Sequence, residues 1–128
     1  SIEDLQRPLT IILDGMTDTA LDKNGDGKFD ELRIVFQVDI LQPGEYTWSA
    51  SIRHPDAVQA MATAINSGRL SKVGINKLSL SFDGAEIAKS GLSGPYPLGG
   101  LGIYGPPNAA ALKLDVGQTA EYSCSQFE

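Results

Sequence analysis

Leu32-Arg33-Ile34-Val35-Phe36-Gln37-Val38-Asp39-Ile40 is the stretch that decides the fold. Leu32, Ile34, Phe36, Val38 and Ile40 take every second position and alternate with mostly polar residues. Side chains of an extended chain point alternately to opposite faces, so this period of two marks a strand with one buried face. Immediately downstream, Gln42-Pro43-Gly44-Glu45 fits a type II turn, with Pro presetting φ at the second position and Gly accepting positive φ at the third. The turn predicts a hairpin that returns over residues 46–53, where Tyr46, Trp48, Ala50 and Ile52 share one phase.

Working outward, residues 9–13 read as a first short strand ended by Asp14-Gly15. Residues 77–82 alternate again, with Leu78, Leu80 and Phe82 in phase, and Asp83-Gly84 is expected to turn them into a strand over residues 85–88. Further strands are expected over residues 101–104, 111–116 and 120–125. Turn signals at short intervals between alternating segments predict an all-β antiparallel sandwich, jelly-roll-like, of about eight short strands. Residues 55–66 are ambiguous. Pro55-Asp56 followed by good helix formers, with Gly68 beyond, fits a short helix, while the alternation of Val58, Ala60, Ala62 and Ala64 fits a strand. The all-β context favours mostly strand, with a short helix near residues 56–66 as the alternative.

Upstream of the deciding strand lies Asp22-Lys23-Asn24-Gly25-Asp26-Gly27-Lys28-Phe29-Asp30. Oxygen-bearing side chains recur at every second position, and Gly27 stands sixth, where a sharp turn needs positive φ. Ca²⁺ takes six to eight oxygen ligands in flexible geometry, and alternate residues of a tightly wound loop can converge on one ion. The expected ligands are Asp22, Asn24, Asp26, the backbone carbonyl of Lys28, and Asp30, with Glu31 a second candidate for the closing carboxylate. A helix-loop-helix site would need Glu at position twelve; Arg33 stands there and cannot ligate. Because a strand follows, the loop resembles the nine-residue calcium hairpins between strands of integrin-type propeller blades. The alternative is a metal-free turn rich in Asx and Gly. Asp14, Asp18, Asp39, Asp83 and Asp115 are further acids able to complete the shell or to form a second site.

The chain has 128 residues, a formal net charge of -6 and a pI of about 4.6. This length fits one domain with a real core, expected to be a single sandwich module over residues 1–128 that is part of a longer chain. The acidic balance argues against nucleic acid or an anionic membrane surface as partner. No apolar run is long enough to insert across a bilayer as a helix. The lone Cys124 allows no internal disulfide. Few Lys and Arg, many Ser, Thr and Gly, and a loop suited to millimolar calcium lean toward an extracellular or cell-surface setting.

The order of these elements carries a broader resemblance. The Asp-rich loop, the amphipathic strand, Pro43-Gly44-Glu45-Tyr46-Thr47, then Leu78-Ser79-Leu80-Ser81-Phe82-Asp83-Gly84 and Ser93-Gly94-Pro95-Tyr96-Pro97-Leu98 follow one another. This resembles the small calcium-binding β-sandwich modules appended to secreted or surface proteins of bacteria and archaea, including extracellular proteases. The resemblance implies a calcium ion with an architectural role, other domains of the parent protein as partners, and no catalysis.

Other chemistry is poorly supported. Gly100-Leu101-Gly102-Ile103-Tyr104-Gly105 spells GxGxxG, but Pro106-Pro107 follows and no helix can start there as a phosphate cradle; bending or close backbone approach is the better reading. His54 is the sole histidine, at a predicted strand end, and Cys124 shares a phase with Ala120 and Tyr122 as expected of a buried thiol. The alternative function is a carbohydrate-binding module with Trp48, Tyr46, Tyr96 or Tyr104 as stacking platforms. Trp48 and Tyr46 fall in the apolar phase of their strand, which favours burial.

Overall fold

The computed structural model describes residues 9–53, 62–106 and 109–128. Among these residues the strands are β1 (Leu9–Leu21), β2 (Glu31–Ile40), β3 (Gly44–Ile52), β4 (Ala62–Leu70), β5 (Gly74–Asp83), β6 (Pro97–Gly105) and β7 (Ala109–Gln118). They form one sheet in the order β1-β2-β5 and a second in the order β4-β3-β6-β7, every pairing antiparallel. The sandwich expected from the sequence is thus the fold. Its strand order narrows the jelly-roll description: it is the seven-strand immunoglobulin-type order with the fourth strand moved to the opposite sheet.

The alternation of β2 is realised side chain by side chain. Leu32, Ile34, Phe36, Val38 and Ile40 are buried, while Arg33 is exposed and Val35, Gln37 and Asp39 are partly so. They meet Tyr46, Trp48, Ala50 and Ile52 of β3, Leu78, Leu80 and Phe82 of β5, and Leu98, Leu101 and Ile103 of β6 in one apolar core. Each large side chain so buried contributes roughly 1.5–3 kcal/mol. The inward phase of β6 skips from Leu98 to Leu101 because β6 carries an extra residue between Gly99 and Gly102, opposite Ser49 and Ser51 of β3, a bulge that keeps Leu101 and Ile103 on the core side. The GxGxxG run therefore lies within a strand, with Gly105 under the ring of Tyr46, where no side chain fits.

Several sequence expectations are corrected. The Gln42-Pro43-Gly44-Glu45 turn does not make a hairpin: β2 and β3 lie in different sheets. Both edges of β2 are occupied by β1 and β5, so β3 crosses to the opposite layer and packs its buried face against β2. Tyr46 fixes the crossing by donating from its hydroxyl to the Gln42 carbonyl at 2.7 Å. Nor does the first strand end at Asp14-Gly15; β1 shifts register between Ile12 and Thr17 and runs on to Leu21.

Residues 85–88 are helical. Helix α1 (Gly84–Ser90) starts because the Asp83 side chain accepts from Ala85 N and stops at Gly91 in the left-handed region. Its good helix formers override the short alternation, and it buries Ile87. Residues 120–125 are not a strand. They lead into a short 3-10 turn (Cys124–Gln126) held by a Ser123–Gln126 capping box, and Cys124 is only half-buried. Of the ambiguous segment, Ala62 onward is strand, with Ala62 and Ala64 inward against β3. Residues 54–61, including His54, lie outside the described residues.

Candidate metal centre

The loop that joins β1 to β2 is shaped by its own carboxylates. Asp22 accepts from Gly25 N at 2.8 Å through Oδ1 and from Gly27 N at 2.9 Å through Oδ2. Asn24 Oδ1 accepts from Asp26 N at 3.3 Å and Asp26 Oδ1 from Lys28 N at 3.0 Å. Asp30 Oδ2 accepts from Lys23 N at 2.6 Å and closes the loop. Gly27, at φ 88°, takes the turn that the sixth position demands. The result places carboxylate oxygens of Asp22, Asp26 and Asp30 within 4.8 Å of one another. Asn24 and Lys28, the other two expected ligands, lie on the same exposed loop; Asp30 is half-buried.

Two nearby cations are committed elsewhere. Lys23 and Arg33 both pair with Glu31, which is 6% exposed, and Ser81 donates to the same carboxylate at 2.6 Å. Burial opposes ionisation of Glu31, but the bonds from Lys23, Ser81 and Arg33 outweigh it and hold the carboxyl below its usual range. Glu31, the second candidate for the closing carboxylate, is thus already engaged by Lys23, Arg33 and Ser81. Among the described residues, Asp22, Asp26 and Asp30 have no ion-pair partner. Asp30 also carries a fully buried oxygen, Oδ1, with no hydrogen-bond partner. A buried acceptor without a donor is costly, and an oxygen-seeking cation is one remedy.

A fourth acid joins this loop from far along the chain. Asn24 Nδ2 donates to Glu128 Oε1 at 2.9 Å, and Glu128 lies against Asp26 and Asp30. Its hydrogen bond with Glu128 lowers Asp26 most, helped by the Lys28 N–H, and the same carboxyl contact raises Glu128. Nothing in the spacing of the loop signals Glu128, which is 104 residues from Asn24.

Of the remaining candidate acids, Asp83 and Asp18 have other work. Asp83 caps α1, Asp14 is exposed on β1, Asp39 faces outward beside Ile75, and Asp115 lies in β7. Asp18 accepts from the Tyr122 hydroxyl at 2.8 Å and from Ala120 N at 3.2 Å. Burial first, then this hydrogen bond, pushes the Tyr122 phenol up to about 12. Because the folded value exceeds the unfolded one of about 10, the stabilisation is complete below pH ~10 and is lost as pH rises through about 12. Tyr122→Phe is expected to cost about 1 kcal/mol at neutral pH and to flatten the alkaline loss. Urea melts at pH 7 and pH 11 check this; equal alkaline losses in wild type and variant would refute the assignment.

Beneath the loop, Phe29, Tyr96, Tyr122 and Phe127 form an aromatic cluster with ring centroids 5.6–6.4 Å apart. Tyr96, one of the candidate stacking platforms, is wholly buried there, and Tyr46 and Trp48 are core residues. Of the proposed stacking aromatics only Tyr104 is exposed.

No protein-family profile and no curated protein sequence matches the chain. Among solved structures it is similar to a bacterial adhesin from Mobiluncus mulieris containing intramolecular disulfide, isopeptide and ester bond cross-links, in two crystal forms. Identity is 12% and 14%, with a TM-score of 0.40 in both; the alignments cover 91% and 87% of this chain and 51% and 52% of the adhesin. The chain thus spans about half the adhesin's length, and nothing about the site is taken from the likeness.

Proposed function

We propose that this chain is a calcium-stabilised, non-catalytic structural or interaction module of a secreted or cell-surface protein. One observation carries the reading: three loop carboxylates converge while two neighbouring cations, Lys23 and Arg33, are turned to Glu31. Asp22, Asn24, Asp26 and Asp30, with the Lys28 carbonyl, would hold Ca²⁺. The ion supplies positive charge that offsets the repulsion among these acids, so binding and folding of the loop are linked. The chain's own part is to orient the oxygens through Gly25, Gly27, Lys28 and Lys23 N–H groups and to join the end of β1 to the start of β2. Millimolar calcium outside cells suits such a site, and other domains of the parent protein are the natural partners. The sugar-binding alternative loses support from the burial of Trp48, Tyr46 and Tyr96.

Calcium at about a hundredfold excess over its Kd is expected to stabilise the fold by on the order of 2.7 kcal/mol. Thermal midpoints in EDTA and in excess Ca²⁺ measure this, and Asp26→Ala is expected to abolish the difference. Mg²⁺ should substitute poorly, because it demands a near-ideal octahedron and releases water reluctantly. Equal midpoints with and without calcium in the wild type would sink the proposal.

A further inference from the structure

The segment after β7 has no strand of its own, yet it is sewn to the loop. Phe29 N donates to Gln126 O at 2.7 Å and Glu128 N donates to Phe29 O at 2.9 Å, a parallel bridge between Phe29 and Phe127. Phe127 is buried against Phe29, so backbone and side chains both hold the segment. These bonds leave the Glu128 side chain over the loop, where Asn24 Nδ2 donates to it at 2.9 Å. Its neighbours there are Asp26 and Asp30, two of the loop's converging carboxylates. An acidic side chain placed against other acids, with one amide donor and no cation among the described residues, gains little as the site stands.

We infer that Glu128 is a further calcium ligand, so that the ion bound by the 22–30 loop also clamps the 126–128 segment onto Phe29. The inference rests on the calcium reading above and adds a residue and a mechanical consequence to it. Five loop donors leave a Ca²⁺ ion short of its six to eight ligands, and Glu128 brings a further carboxylate to the loop, held there by the bond from Asn24. The fully buried, unpartnered Oδ1 of Asp30 lies on the same side chain that Glu128 faces. Docking of the segment then depends on calcium.

The test uses the full chain, CaCl2 alone as probe, and the variants Glu128→Gln and Asp26→Ala. Calorimetric titration is expected to show Glu128→Gln binding calcium roughly tenfold or more weakly, since ligand charge count tunes affinity. Its midpoint in EDTA should remain at the wild-type value, because Gln still accepts from Asn24. Amide hydrogen exchange should show calcium slowing exchange at Phe29 and Glu128 in wild type, with the effect lost in Glu128→Gln. Wild-type affinity in Glu128→Gln, or calcium binding without added protection at those amides, overturns the inference and leaves the loop site intact. Absence of calcium binding in wild type removes both. Asp26→Ala sets the baseline for a lost loop ligand.

Discussion

Phe127→Ala is expected to cost about 3–5 kcal/mol, the range for deleting a large aromatic from a packed interior. The residue lies outside every regular strand, so its weight comes from where its ring sits. Phe127 is 2% exposed and its ring lies 5.7 Å from Phe29, 6.4 Å from Tyr96 and 5.6 Å from Tyr122. Truncation removes apolar contact and opens a cavity bounded by three other aromatic rings, which cannot all collapse inward because Phe29 and Tyr96 are fixed by backbone bonds. Urea or guanidinium melts give the loss directly. A cost below 1 kcal/mol would mean that this cluster is peripheral to the fold. The variant should also bind calcium more weakly, since the Phe29–Phe127 bridge presents both the loop and Glu128.

Gly84→Ala is expected to cost about 3 kcal/mol, the upper part of the range for overpacking. A Cβ at this position would lie 2.6 Å from the Phe29 carbonyl oxygen, 2.8 Å from the Asp30 carbonyl carbon and 2.8 Å from the Glu128 carbonyl oxygen. All three are backbone atoms, so no side-chain rotation relieves the clash. Gly84 N also donates to Asp30 O at 2.8 Å, which draws the start of α1 against the loop. In a helix Ala normally gains up to about 1 kcal/mol over Gly. A destabilised Gly84→Ala would therefore isolate the steric effect from propensity. Thermal melts of the pair measure it, and an unchanged or raised midpoint would show that the three segments can move apart freely.

Most of the fold was legible because burial in a sandwich is periodic. The alternation in Leu32–Ile40, in Tyr46–Ile52 and in Leu78–Phe82 reports an inward face whatever the strand's neighbours are. Pairing is another matter. Gln42-Pro43-Gly44-Glu45 looks the same whether it folds a hairpin or a crossing between layers, and the outcome was set by β1 and β5 already occupying the edges of β2. The helix after β5 had a local signal that the strand reading passed over: Asp83 at the cap with Glu86 three residues on, followed by Ile87, Ala88 and Lys89. At the loop, spacing identified the residues that converge, Asp22, Asp26 and Asp30, because neighbours in a tight turn cannot avoid one another. Glu128, Phe127 and Tyr122 reach the loop through tertiary contacts, and no local pattern encodes those.

The crossing at Gln42–Gly44 also bears on how quickly the chain finds its structure. Since β2 and β3 cannot zip together as sequence neighbours, β2 must wait for β5, whose residues pair from Glu31↔Asp83 to Ile40↔Gly74. The first layer thus closes around a long excursion through the second, and chain entropy is lost before the contacts that repay it exist. Topologies of this kind fold in milliseconds to seconds, not microseconds. During that interval β2, with five apolar side chains destined for the core, has an open edge, and a neighbouring chain could pair with it before β5 arrives.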